Sequence, residues 1–341
     1  MKKSNIYNRV CIPCSIYVLT FYLLMSSKEE IQNTCFFFSY TIPKQIRKKF
    51  SNSVFIDLND FWHKNKYLLA VYTLFKRKIQ WPFLAKAEIY GLDFYWDLLR
   101  GLNMNYIEDC PNVLDIWETS RLYESYQKGQ TELTIKRKIK QWLFGHYYQC
   151  PVGTSTNVKA IYTSTPYNKP YHQGKSKIVV DLKQAWEKSD KEKKKLILDI
   201  FDLTENDLHE LKSRKVILLT QPYVEDKKMT EKQLINIYND IINKYGKGNV
   251  LIKPHPRDRR EYKRFFPDTI LFSKSVPMQL LALLGINYEH IVTINSSSAL
   301  SFGIDAPIDW WAEKLDADLV RDEGFCTLAE ARKKLLSCNT K

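Results

Sequence analysis

Short apolar runs recur along this chain and alternate with charged stretches of helical spacing, and this rhythm constrains the fold more than any other feature. Arg9 to Pro13, Cys35 to Phe38, Val54 to Asp57, Ala87 to Tyr90, Asn105 to Ile107 and Val158 to Thr163 read as strands in the first half. Val216 to Thr220, Val250 to Lys253 and Ile291 to Ile294 repeat the pattern in the second. Strands alternating with helices predict parallel sheets covered by helices on both faces. At 341 residues, size favours two such domains.

The connecting segments obey the same logic. The spacing predicts a turn at Cys14-Ser15 and a helix from Ile16 to about Ser26. The apolar run Val10 to Met25 is interrupted by Pro13 and falls short of the ~20 residues a spanning helix needs. A long helix is expected around Tyr67 to Lys78. Residues Tyr148 to Lys177 read as loops around one buried strand. Asp181 to Asp202 reads as one charged helix, with Leu196, Ile197, Ile200 and Phe201 on its apolar face and the run Lys191 to Lys195 solvated. The interdomain connection is expected near Asp190 to Leu211. Thr230 caps a helix to Tyr245, with Glu231 and Gln233 in its first turn. Ser273 to Leu284 should also be helical.

A net charge of +14 implies anionic surroundings, such as a nucleotide or anionic headgroups. No zinc or RNA-binding signature accompanies it, so nucleic acid is not an expected partner. Seven cysteines at irregular spacing argue against a disulfide framework and for a reducing cytoplasm. The Cys11/Cys14 pair lacks a second pair or a nearby histidine, and reads as buried spectators.

Chemistry concentrates at two strand ends. Val250 to Lys253 runs into Pro254-His255-Pro256-Arg257-Asp258, and Ile291 to Ile294 runs into Asn295-Ser296-Ser297-Ser298. An imidazole flanked by Lys253 and Arg257, with hydroxyls opposite, suits a bound phosphate. On a continued strand Lys253, His255 and Arg257 would share a face, unless the turn after Pro254 breaks it. A helix starting at Ser297 or Ser298 would add backbone N–H groups and the positive end of its dipole. The plainer alternatives are a turn histidine and an ordinary helix cap for Ala299 to Gly303. Acidic pairs come after two other strands, at Glu108-Asp109 and Glu225-Asp226, where open α/β sheets place ligands. Either pair could equally be solvated turn residues. Asp316-Ala-Asp318 comes after no strand and reads as charged surface, so no metal site and no cofactor are expected.

Glu108-Asp109-Cys110, His255-Pro256 and Ser296-Ser297-Ser298, in this order, resemble the D/E-D-G, HP and SS motifs of bacterial sialyltransferases of glycosyltransferase family 52. The resemblance implies an α/β fold of two Rossmann-like domains facing each other across a cleft, the GT-B architecture. It divides the chain into an acceptor-side domain, 1–200, and a nucleotide-sugar domain, 201–341. It implies inverting transfer from CMP-sialic acid to a galactose-terminated glycan of a capsule or lipooligosaccharide. His255 would serve the departing phosphate, while Lys253, Pro256, Arg257, Ser296, Ser297 and Ser298 hold the donor. The base would come from Glu108 and Asp109, or from Glu225 and Asp226 after the strand that opens the second domain. The cysteine usage and the positive charge together lead to an expected cytoplasmic enzyme with peripheral contact to the inner face of the membrane, and a homodimer is a further expected partner. A CDP-glycerol-type polyol-phosphate transferase and a non-catalytic glycan- or nucleotide-binding protein are the competing expectations. The motif's glycine is Cys110 here, and a positive φ at that position would strain it.

Overall fold

The structure is a computed structural model that describes residues 7–56, 66–111, 113–118, 120–131, 135–148, 150–303, 305–315 and 327–336. It divides into two compact units, one reaching to Ile200 and the other spanning Phe201–Leu336.

The first unit carries a seven-stranded sheet in the order β3-β2-β1-β4-β5-β6-β7. Its strands are β1 (Arg9–Ile12), β2 (Thr34–Phe38), β3 (Ser53–Phe55), β4 (Glu88–Gly91), β5 (Met104–Ile107), β6 (Val158–Thr163) and β7 (Ser176–Val179). Every pairing is parallel. All of β2 is buried, as a strand covered on both faces requires, and this explains the unbroken Phe36-Phe37-Phe38 run. The chain winds outward from β1 through β2 to β3, then restarts at β4 on the other side of β1. That reversal brings Gly91 so close to Ile12 that an added Cβ would stand 2.3 Å from the Ile12 carbonyl oxygen, so only glycine fits.

The helix Ile16–Met25 succeeds β1, capped by Ser15, whose hydroxyl accepts from the Val18 amide at 3.2 Å. Residues Tyr17 to Leu24 are buried along it. Its apolar sequence thus serves a helix packed on all sides. Among the described residues no helix is long and apolar enough to cross a membrane.

The second unit carries a five-stranded parallel sheet in the order β10-β9-β8-β11-β12. Its strands are β8 (Val216–Leu219), β9 (Val250–Lys253), β10 (Ile270–Leu271), β11 (His290–Thr293) and β12 (Ile308–Trp310). The helix Glu231–Tyr245 starts at a complete capping box between Thr230 and Gln233 and buries Leu234, Tyr238, Ile241 and Ile242 against the sheet. Gly246 ends it with φ +82°.

Four local expectations are corrected. The segment expected as one helix over Asp181 to Asp202 is two, Leu182–Lys188 and Lys191–Ile200, because Asp190 caps the second through the Lys193 amide. Within the lysine run, Lys193 is buried and its ammonium bonds the Leu24 carbonyl at 2.8 Å, closing off the end of the first helix. Loop was expected up to Lys177, but Ser176–Val179 adds the edge strand β7, whose opening residues Ser176 and Lys177 are polar and exposed and so read as loop. The helix expected from Ser273 is confined to Met278–Leu283, because Pro277 holds its own φ fixed and disfavours a helical residue before it.

Candidate active site

In the second unit the chain winds from β8 through β9 to β10, then reverses to β11, so the switch point lies between β8 and β11. Open α/β sheets bind ligands outside the carboxyl ends of strands at such reversals. Thr220 leaves β8 there, His255 lies just past β9, and Ser296 lies just past β11. The His255 and Ser296 strand ends are two strand spacings apart, ~9.5 Å.

The His255 loop is held by a buried network. The Thr220 hydroxyl accepts from the His255 amide at 3.1 Å and donates to Asp258 at 2.6 Å. Asp258 also receives Arg260 Nε at 2.6 Å and the Tyr262 hydroxyl. The Asp258 amide returns to the His255 carbonyl at 2.9 Å, which closes a turn over Pro256 and Arg257. Within that turn, His255 Nδ1 accepts the Arg257 amide at 3.1 Å. A nitrogen that accepts carries no proton, so the ring is neutral and its hydrogen lies on Nε2. Burial, and then the Arg257 charge, lower the imidazole's affinity for a second proton. His255 is therefore built to donate a hydrogen bond.

The strand does not continue past Lys253, so the three expected neighbours separate. Lys253 is buried with its ammonium on the Lys274 carbonyl at 2.8 Å and above the Phe272 ring, and burial lowers its pKa to about 8. The Arg257 guanidinium forms a two-pronged pair with Asp226, at 2.7 and 3.1 Å. Of the serines, Ser296 is buried, its amide bonds Thr293 Oγ1 at 3.0 Å, and its hydroxyl shares a 2.6 Å hydrogen bond with that of Ser298. Two hydroxyls joined by one bond retain one proton to give. The side chain of Ser297 lies outside the described residues. The chain then forms a 3₁₀ helix, Ser297–Phe302, in place of the expected helix over Ala299 to Gly303; it is too short to supply the dipole expected of a longer one.

The first unit carries carboxylates just past β4 and β5, with hydroxyl partners supplied from the ends of β1 and β6. Glu108 is 1 % exposed and accepts from the Tyr17 hydroxyl at 2.6 Å and from both the amide and the hydroxyl of Ser164. Burial outweighs these bonds and raises its carboxyl to about 7. Asp109, half-buried beside it, accepts from the Ser15 hydroxyl at 2.6 Å through one oxygen. Ser15 caps the first helix, so the switch-point loop and the acidic pair are tied together. Asp93, just past β4, is buried and accepts the amides of Val152 and Gly153 at 3.2 and 2.7 Å; burial raises it to about 6. The reading of Glu108 as a solvated turn residue is thus corrected by its burial. Cys110 is not among the non-glycine residues with positive φ, so it takes the glycine's place without strain.

Glu225 and Asp226 fare differently. Glu225 is clamped by the Arg260 guanidinium and by the Arg259 amide at 3.0 Å. Asp226 is held below the usual carboxylate range, chiefly by its hydrogen bonds to Arg257. Asp316 and Asp318 lie outside the described residues, and among the described residues no three His, Cys, Asp or Glu side chains are grouped to hold a metal. Sequence reasoning missed Asp93 and the Thr220, Arg260 and Tyr262 supports of Asp258. Asp258 itself stands three residues after His255, and its place one turn beyond a strand-end histidine was the available signal.

With this geometry in view, three likenesses are informative. An uncharacterized protein of Haemophilus influenzae is 27% identical over 312 residues, covering 90% of this chain and 95% of its own length. A 2,6-sialyltransferase of a Photobacterium species, solved with the donor product CMP and the acceptor lactose, superposes with a TM-score of 0.59 at 12% identity, covering 96% of this chain and 76% of the other. An α/β-galactoside α-2,3-sialyltransferase of Photobacterium phosphoreum gives 0.51 at 12% identity, covering 97% and 96%. The two parallel sheets and these neighbours give the fold class as two Rossmann-like α/β units of the GT-B type. The sequence profile of glycosyltransferase family 52 matches residues 21–305, and the chain belongs to that family.

Proposed function

We propose that this glycosyltransferase moves sialic acid from CMP-sialic acid to a galactose-terminated glycan of a capsule or lipooligosaccharide, with inversion and without a metal ion. The observation that carries the reading is His255, a neutral imidazole whose Nε2–H is presented at a strand end two strands from the Ser296–Ser298 hydroxyl pair. A CMP-sugar has one phosphate, and donors of this kind meet its charge as the anomeric carbon–oxygen bond breaks and CMP leaves with the bonding electrons. The second unit would then bind the nucleotide sugar, and the first the acceptor.

Asp109 is the favoured base. It is half-buried, and among the described residues its carboxylate makes one hydrogen bond, to Ser15, so an oxygen remains for an acceptor hydroxyl. That hydroxyl would attack the anomeric carbon from the face opposite the phosphate and pass its proton to Asp109. Glu108, enclosed by Tyr17 and Ser164, would position the loop. Glu225 and Asp226 are engaged by arginines, which occupy the oxygens an acceptor hydroxyl would need. We place the enzyme in the cytoplasm, where CMP-sugars are made available.

Mass spectrometry of products from lactose with a panel of CMP- and CDP-activated donors, in excess EDTA, tests the reading. A sialyl adduct formed only from CMP-sialic acid is expected. Transfer from CDP-glycerol alone, or only after Mn²⁺ is restored, would overturn it.

A further inference from the structure

Two aromatic rings stand out to solvent at the strand ends of the first unit. Tyr40, just past β2, is 57% exposed, and Phe94, just past β4, is 58% exposed. Their chain neighbours turn inward, since Ser39, Asp93 and Tyr95 are all buried. Tyr95 lies against Ser39 past β2 and Cys14 past β1, so three strand ends are drawn together beside the two rings. The Phe94 ring meets that of Tyr95 edge-on, with centroids 5.6 Å apart.

The strand registers set these rings in one row with Asp109. Cys11 pairs with Phe36, Ile12 with Gly91, and Gly91 with Tyr106. Four residues on from the first pair stand Ser15 and Tyr40, three on from the second Ser15 and Phe94, and three on from the third Phe94 and Asp109. The order along the edge is therefore Tyr40, Ser15, Phe94, Asp109. The 2.6 Å bond from Ser15 to Asp109 crosses the end of β4, the strand that leads to Phe94. From the strand of Asp109 to that of Tyr40 the edge runs three strand spacings, ~14 Å.

We infer that Phe94 and Tyr40 are stacking platforms for successive sugars of the acceptor, and that they select an oligosaccharide over a single galactose. A pyranose presents C–H groups on one face, which packs on an aromatic ring while the hydroxyls at its rim stay hydrated. The occupant is a neutral glycan because Asp109 stands in the row, and a phosphate beside it would be repelled. A single sugar held at Asp109 reaches the neighbouring Phe94, whereas only a chain of several sugars extends to Tyr40. The inference rests on the reading of Asp109 as the base that receives the acceptor's proton.

The test compares initial rates with CMP-sialic acid on galactose, lactose and a galactose-terminated tetrasaccharide, using the full chain. In wild type KM is expected to fall as the acceptor lengthens. Phe94→Ala should raise KM for lactose and the tetrasaccharide ~2–10-fold, the worth of one aromatic contact. Tyr40→Ala should raise it for the tetrasaccharide more than for lactose. Calorimetric CMP affinity at the wild-type value shows that each variant is folded. Phe94→Leu, equally apolar but without a ring, should behave as the alanine variant, and Phe94→Tyr should recover most of the loss. One KM for all three acceptors in wild type, or wild-type KM values in both alanine variants, would overturn the inference and leave the transfer reading standing. If wild type transfers to none of them, the transfer reading falls, and saturation-transfer NMR with the tetrasaccharide alone decides the platforms. A signal lost on combining Tyr40→Ala with Phe94→Ala supports them; no signal in wild type, or an undiminished one in the double variant, overturns them.

Discussion

The two sheets end in opposite chemistry. At the strand ends of the first unit, Glu108 and Asp93 are buried carboxylates that no cation bonds among the described residues, and desolvation raises both. At those of the second, Glu225, Asp226 and Asp258 are each bonded to an arginine, and the groups left to donate are an imidazole N–H and a serine hydroxyl. The same α/β framework thus offers proton acceptance in one unit and hydrogen-bond donation to an anion in the other. The difference lies in the residues just past each strand. Arginine pairing occupies carboxylate oxygens in the second unit, and of these groups Asp226 is held below the usual carboxylate range, chiefly by its hydrogen bonds to Arg257.

The largest effects should fall on turnover. His255→Ala is expected to lower kcat by ~10²–10⁴-fold with the chain still folded, and Asp109→Asn by a similar factor. Asp226→Asn and Glu225→Gln should stay far closer to wild type in the same assay. If Asp226→Asn is the inactive variant, the contrast between the units is misassigned. Next in size, Ser296→Ala should weaken CMP binding ~10–100-fold by calorimetry, the worth of a hydrogen bond to a charged group. Asp258→Asn is expected to lower kcat ~10-fold by loosening the His255 turn, with CMP affinity less affected. A value equal to wild type would detach the network from the histidine.

The smallest effect is on stability. Glu108 keeps its proton when folded up to about pH 7, whereas unfolded it releases it near its ordinary value of 4.5. The folded chain therefore holds more protons in that window, and stability falls as pH rises through it. Lys253 runs the other way: lowered to about 8 from 10.5, it gives a folded state with fewer protons, and stability rises with pH between those values. Glu108→Gln should flatten the thermal midpoint's decline over the acid window, and Lys253→Met its rise over the alkaline one. Unaltered slopes would show that these groups are not desolvated.

Central strands were legible because a strand covered on both faces is largely apolar, as Cys35 to Phe38 and Val216–Leu219 are. The edge strand Ser176–Val179 was not, since its first half, Ser176 and Lys177, is polar and exposed and continues the loop composition before it. The catalytic candidates were legible as polar residues directly after apolar runs. Their supports were not: Tyr17 reaches Glu108 across 91 residues and Thr220 reaches Asp258 across 38, and neither spacing has a period that a sequence displays. Lys193 misled for a related reason, because its place in a lysine run says nothing of the Leu24 carbonyl it meets. The break at Ser189 was hidden by continuous helical composition, and only the Asp190 cap reveals it.

The division of labour between the units is tested most directly by calorimetric titration of CMP into the full-length wild type, His255→Ala, Ser296→Ala and Asp109→Asn. The account predicts weaker CMP binding in the two second-unit variants and wild-type affinity in Asp109→Asn, which nonetheless fails to turn over. Loss of CMP affinity in Asp109→Asn, with affinity intact in both His255→Ala and Ser296→Ala, would contradict it.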